Sequence, residues 1–448
     1  MAADPSHDVL SSDPLNSQPP LPSLIASFIT PPSLSYNRNH GPYASPPSPY
    51  SLKVSSEVPG VEVHTGDFSL DDLTGEFEKK NVIAALVCAG NRRKEMNAEK
   101  QTEGLQWGGS AIANVHVSGA LLRDVLSRAG ITLARLEAAG QAHKLHLHFE
   151  TTQHCKEGEE DYFSVSLPVK LALDPSRPVL LAYSQSGEPL QEAHGAPLRL
   201  IVPGVIGARS VKWLERVILR DHESDSFFQQ RDYKVLPPEA TPETKQDWLK
   251  QSPPLMEFPL NSEICEPPEG SVLSIKEQKL AVKGYALGEN GIPIARVSVT
   301  LLPLPLHSPP TPPPSTASPS SPGVPLEHEE LHHIRLSAAS LPSSAWTSAI
   351  LTSSPEGGDP FAATKESSGE RNWGWTLWNA EVSVPEEVRR MVELSVGGGE
   401  GVEVALISFA EDKNGQRQEL ETPYNLRGVR EASWSVVKVR LAKNVDKQ

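Results

Sequence analysis

Cysteine is scarce, with three residues, Cys88, Cys155 and Cys265, in a chain of 448. So few cannot build a disulfide framework, and a reducing compartment is the simpler expectation. No apolar run approaches the roughly 20 residues that a membrane span needs, so no membrane partner is expected. Positive charge is in deficit as well. Lys and Arg number 41 against 56 Asp and Glu, a net charge of −15, which argues against nucleic acid and anionic lipid. No arginine precedes Arg38, while Asp4, Asp8 and Asp13 fall in that stretch, the reverse of a mitochondrial presequence. The closing Val-Asp-Lys-Gln448 is not a peroxisomal tail of the Ser-Lys-Leu kind. A cytoplasmic location is the default.

Proline, by contrast, is abundant. Its 42 copies are too many for one compact unit, and the length suits two or three domains. Residues 1–27, rich in Pro, Ser and Asp without apolar periodicity, read as a disordered N-terminal arm. From 28 to 258, apolar runs of strand length (82–87, 179–183, 198–202) and a stretch that alternates like a strand (145–149) mix with occasional helices, clearest at 120–129 (ALLRDVLSRA). This predicts an α+β domain with its chemistry on loops. Residues 259–448 read as all-β. The runs 280–285, 295–301, 373–384 and 402–409, separated by turn residues, have the pattern of an immunoglobulin-like sandwich. The stretch at about 303–371, which includes LPLHSPPTPPPSTASPSSPG, interrupts it. Such composition cannot bury a core and reads as a flexible insertion, a spacer before it is a docking site for proline-reading modules.

The most informative stretch is NVIAALVCAGNRRKEMN, residues 81–97. Six apolar residues deliver Cys88 to a small-residue turn followed by Arg92, Arg93 and Lys94. Taken alone, Cys88 is a buried structural thiol. Beside two guanidiniums it should lean toward the thiolate, which binds soft metals. Cationic residues also recur beside turn glycines elsewhere: Arg38, His40, Arg199, Arg209, Lys212, Arg231, Lys234 and Arg427. Positive charge concentrated there, in a chain otherwise acidic, points to bound anions.

Cys88-Ala-Gly-Asn-Arg-Arg93 resembles the segment by which the sulfite oxidase family of molybdenum enzymes presents its metal-binding cysteine. Further landmarks follow in family order: Tyr36-Asn-Arg-Asn-His-Gly-Pro42, Gly104-Leu-Gln-Trp107, His194-Gly-Ala-Pro-Leu-Arg199, 203–213 (PGVIGARSVKW), Arg231-Asp-Tyr-Lys234 and Asn425-Leu-Arg-Gly-Val429. The resemblance runs from about residue 28 to 441. It implies a mixed α/β molybdopterin domain followed by an immunoglobulin-like dimerisation domain, hence a homodimer. It makes Cys88 the protein's ligand to molybdenum. It gives the pterin and its phosphate to Tyr36, Asn37, Arg38, Asn39, His40, His194, Arg199, Ser210, Val211 and Lys212. Arg38, Arg93 and Arg427 would hold the substrate anion, Trp107 would wall the pocket with its indole, and Tyr233 would place a phenol near the metal. The chain departs from the family at Thr152-Gln153, where relatives carry an aspartate.

The activity so implied is oxygen-atom transfer from the molybdenum cofactor, turning sulfite into sulfate. With no Cys-x-x-Cys-His and no GxGxxG fingerprint, neither haem nor flavin is expected. The resemblance is to the haem-free plant-type branch, whose electrons go to dioxygen or an external acceptor. Two other readings compete. A nitrate-reductase-like enzyme shares Arg-Arg-Lys-Glu after the cysteine, but usually lacks an arginine at the place of Arg427. A non-catalytic, dimeric cofactor-binding protein would have no need of buried guanidiniums. A zinc site at His154-Cys155 has too few ligands.

Overall fold

The computed structural model describes residues 4–42, 46–151, 155, 162–276, 278–304, 326–355, 371–394 and 401–443. It corrects the expectation of a disordered arm at once. β1 (Asp8–Ser12) and β2 (Leu15–Gln18) form an antiparallel hairpin, and Asn16, Ser17, Gln18 and Leu24 are buried. Composition misled because the hairpin is held by polar groups instead of a core of its own. Ser17 and Asn37 exchange backbone hydrogen bonds of 3.0 and 2.8 Å, and Gln18 Oε1 accepts from the Gly108 amide at 3.0 Å.

Among the described residues, ten strands build the rest of the first domain. They are β3 (Ser51–Ser56), β4 (Asp67–Ser69), β5 (Lys80–Val87), β6 (Ile112–Leu121), β7 (His146–Thr151), β8 (Ser164–Pro168), β9 (Leu180–Gln185), β10 (Glu188–Pro189), β11 (Arg199–Ile201) and β12 (Leu214–Arg220). One sheet has the order β10-β9-β6-β5 with β11 also on β9, and the other has the order β4-β3-β12-β7-β8. The unbroken apolar run of β5 is explained by burial on both faces. Val82, Ala84 and Leu86 join one cluster, Ala85 and Val87 another. The predicted helix at 120–129 begins later, at Leu122–Arg128. Ala120 and Leu121 finish β6 because Leu181 and Leu180 of β9 pair with them.

The second domain is the expected sandwich. Its strands are β13 (Asn261–Glu266), β14 (Val272–Ser274), β15 (Lys279–Leu287), β16 (Ile294–Pro303), β17 (Thr347–Ser348), β18 (Ile350–Thr352), β19 (Thr376–Ser383), β20 (Val402–Asp412) and β21 (Ser435–Ala442). Sheets β13-β15-β19-β18 and β14-β21-β20-β16-β17 enclose a core that includes Val282, Val297, Val299, Ala380, Leu406 and Val439.

The insertion is not a bare spacer throughout. Its proline-rich run lies outside the described residues, but Leu326–Ala339 is a helix, and β17 and β18 join the two sheets. Ile334 and Ala338, one helical turn apart, pack with Ile407, Phe409 and Trp434. Arg335 Nε donates to the Trp434 carbonyl at 3.0 Å, and its guanidinium lies 3.6 Å from Glu95 in the first domain.

Candidate active site

Cys88 follows β5 directly, and its amide donates to the Ala111 carbonyl at 2.9 Å. The side chain, 7% exposed, lies in the wall of a cleft. Into the same cleft the fold brings Tyr36, Arg38, His40, His194, Arg199, Ser210, Val211, Lys212 and Tyr233. Residues 38, 88, 199 and 233, far apart in sequence, therefore share one space. Among the described lining residues there is no carboxylate, although the chain carries 56.

Arg93 stands beside this cleft, where its charge acts on Cys88, and where Arg38 and Arg427 act on it in turn. It opens the helix Arg93–Glu99. Nε donates to the carbonyls of Arg427 and Gly428 at 3.2 and 2.9 Å, and Nη1 donates to the Leu105 carbonyl at 2.8 Å. Three motif glycines leave the room it occupies. A Cβ on Gly90, Gly104 or Gly428 would lie 2.6, 2.8 or 2.6 Å from its side chain. The latter two also have φ of +105° and +55°, a region that side-chain-bearing residues rarely adopt.

Arg92 turns the other way and ties the domains together. It donates to Glu95 Oε1 and Asn261 Oδ1, each at 2.7 Å, and its Nε lies 2.8 Å from Glu263. Only one of the two adjacent arginines therefore serves the thiol. The expected lean toward thiolate is corrected too. Burial pushes the Cys88 thiol up, and Arg93 and Arg38 offset that only in part.

Arg427 is not an idle cation. Nη1 pairs with Glu103 at 2.8 Å, Nη2 with Asp232, and Nε donates to the Asp232 carbonyl at 3.2 Å. Next along the chain, the Tyr233 hydroxyl lies 2.7 Å from His40 Nε2. Arg38 Nη2 lies 3.1 Å from His40 Nδ1 on the other side of that ring. Trp107, expected as a pocket wall, is fully buried and packs behind Cys88 and Ala111 instead of lining the cleft.

The remaining predicted cofactor residues divide in two. Asn37 and Asn39 do not line the cleft but support it. Asn37 Nδ2 donates to Ser17 Oγ at 3.0 Å, and Asn39 Nδ2 donates to the Leu15 carbonyl at 2.7 Å while its Oδ1 accepts from Lys212. His194, Arg199 and Lys212 line the cleft itself. Burial pushes His194 down to about 4 and Arg199 down to about 10. Lys212 is also pushed well down, by burial first and then by Arg199 and Arg38. Crowded cations of depressed basicity suit a site whose anion completes it.

Two supports escaped sequence reading. Asn16 Oδ1 accepts from the Asn39 amide at 2.9 Å and from Arg38 Nη1 at 3.4 Å, so the N-terminal hairpin clamps the Arg38 segment. Gln185, whose buried amide nitrogen has no partner among the described residues, also lines the cleft. The departure at Thr152-Gln153 lies outside the described residues.

The chemistry of this donor set fits a pterin-bound molybdenum. A thiol stands at one point of the lining, and at others stand buried N–H donors without partners among the described residues (Arg199 Nε, Gln185 Nε2). Gly207 leaves open a space where a Cβ would meet the Tyr36 hydroxyl at 2.7 Å.

Known proteins give the same picture. Residues 40–228 match the oxidoreductase molybdopterin binding domain, and residues 252–302 match the Mo-co oxidoreductase dimerisation domain. The sulfite oxidase of Arabidopsis thaliana is 33% identical over 437 residues, 98% of this chain and 94% of that protein. A nitrate reductase [NAD(P)H] of Hordeum vulgare is 40% identical over 303 residues, 64% of this chain but only 32% of that longer protein. The crystal structure of the sulfane dehydrogenase SoxCD from Paracoccus pantotrophus superposes with a TM-score of 0.63 at 20% identity, covering 96% of this chain and 85% of that one, a likeness of fold. Related over nearly its whole length to the plant protein, the chain belongs to the sulfite oxidase family of molybdopterin oxidoreductases.

Proposed function

We propose that the chain is a molybdenum-cofactor sulfite oxidase that acts as a homodimer and passes its electrons to dioxygen or an external acceptor. The observation that carries this is the cleft itself, a cation-lined space free of described carboxylates with the Cys88 thiol in its wall. Cys88 would hold the metal, and His194, Arg199, Ser210, Val211 and Lys212 would hold the pterin and its phosphate. Bound there, the cofactor supplies two-electron redox chemistry with transfer of an oxygen atom.

The protein's share is positioning and charge. Sulfite is a small, strongly hydrated anion, and its water must be replaced by fixed N–H donors, for which planar guanidiniums are suited. Arg38 and Arg93 flank Cys88, and Arg427 is adjacent to Arg93. An arriving anion competes for Arg427 with Asp232 and Glu103, which neutralise that guanidinium between turnovers. His40 fixes the Tyr233 hydroxyl at 2.7 Å, so the phenol can hold a hydrogen bond or move a proton at one defined place.

Assays of the cofactor-loaded chain with sulfite and with nitrate test the reading. Sulfite oxidation is expected. Nitrate reduction without sulfite oxidation would assign the cleft to the other branch of the family, and a chain that takes up no molybdenum would be no enzyme of this kind.

A further inference from the structure

Simple strand alternation would keep Gln185 off the cleft. In β9, Leu180 and Ala182 join the apolar cluster that contains Leu86, Val115 and Val117, so the next residue on that face should be Ser184. A bulge changes this. Val117 faces Gln185 and Ser118 faces Ser184, yet Gly119 faces Ala182, which leaves Tyr183 as an extra residue. One extra residue reverses the alternation beyond it. Gln185 thereby takes the face of Val117 and lines the cleft. Gly119 permits the close approach, since a Cβ there would lie 2.1 Å from the Leu181 carbonyl oxygen.

In that position Gln185 is 5% exposed, and its amide nitrogen has no hydrogen-bond partner among the described residues. Arg199 Nε, on neighbouring β11, is buried and unpaired in the same way and lines the same cleft. A buried donor left unpaired costs about 1 to 3 kcal/mol. Two of them at one cleft call for a ligand rich in acceptors.

Resting on the reading that this cleft holds the molybdenum cofactor, we propose that Gln185 is a cofactor-binding residue whose side-chain amide donates to a ring acceptor of the pterin. The pterin ring fits better than the phosphate. A neutral amide matches a carbonyl oxygen or ring nitrogen, whereas phosphate charge is met by Arg199 and Lys212. The bulge at Tyr183 exists, on this account, to aim that donor.

The test compares the full-length chain with Gln185→Met, which keeps length and removes the donor, and Gln185→Glu, which keeps shape and offers acceptors instead. Each is prepared with and without cofactor. The readouts are pterin bound per chain, its rate of loss on prolonged dialysis, and the melting temperature of the cofactor-free protein. Wild type should load fully. Both variants should lose pterin about tenfold faster, the worth of one hydrogen bond. Cofactor-free Gln185→Met should melt at or above wild type, because methionine needs no partner. Retention equal to wild type in both variants overturns the inference and leaves the function standing. A cofactor-free Gln185→Met that melts well below wild type also overturns it, since the amide would then have a structural partner. Wild type that binds no pterin overturns both.

Discussion

Arg93 shows how motifs scattered over more than 330 positions (residues 90 to 428) serve a single group. Gly90, Gly104 and Gly428 all make way for its side chain, which accounts for a glycine in each of the three strings that contain them. A methyl group at Gly104 would meet Nη1 at 2.8 Å on a backbone with φ of +105°. Gly104→Ala should therefore lower sulfite kcat/KM by about ten- to a hundredfold, as misplacement of a positioning group does, with molybdenum content unchanged. Steady-state kinetics beside metal analysis check this. That Cys88, His194, Arg199 and Lys212 would share one cleft was legible because each is of an unusual type in its string. Residues were not legible where a fold-dependent register decides, as with Gln185, or where a neighbour's direction does, as with Arg92. The lean toward thiolate is opposed for a related reason: burial pushes the Cys88 thiol up, and burial cannot be read from the letters CAGNRR.

The N-terminal hairpin and the β7–β12 pair are the elements whose roles lie in polar bonds. Asn16 holds the buried amide of Asn39 at 2.9 Å. Asn16→Ala leaves that donor without a partner, at about 1 to 3 kcal/mol, and loosens Arg38. Its effect should appear mainly as a rise in sulfite KM of about five- to a hundredfold, where a free arm would show none. In β7, His148 Nε2 lies 2.9 Å from the His222 carbonyl and Nδ1 lies 3.1 Å from Arg220, which also pairs with Glu150 and Glu57. Burial, with Arg220, His222 and His146 adding to it, pushes His148 from 6.5 down to about 4. The unfolded chain takes up a proton near pH 6.5 that the folded chain refuses until about pH 4. Stability from this group is present above 6.5 and lost as pH falls toward 4. Melting temperatures between those values should fall less steeply in His148→Gln than in wild type. Strands buried on both faces, such as β5, could be read from sequence because their runs are unbroken. The hairpin and the helix Leu326–Ala339 could not, because proline-rich surroundings hid short segments that dock on another element.

Over the whole molecule, acidic residues prevail, yet described carboxylates are absent from the lining of the one cleft that receives Arg38, Arg199 and Lys212. The two domains were recognisable from their periodicities, and their junction was not. Arg92 bridges to Asn261 and Glu263, the Tyr285 hydroxyl donates to the Gly109 carbonyl at 2.7 Å, and Trp375 Nε1 donates to the Phe28 carbonyl at 2.9 Å. The Arg92 bonds tie the sandwich to the loop that follows Cys88, and the other two tie it to Gly109 and Phe28 of the first domain, so the site depends on both domains. The most direct test of the central claim is sulfite turnover by the molybdenum-loaded chain beside Cys88→Ser at matched folding. Wild type should form sulfate, and the variant should lose at least about a hundredfold, since loss of even a supporting residue at a metal site costs up to that much. Sulfite oxidation undiminished in Cys88→Ser, or absent from a fully loaded wild type, would contradict the account.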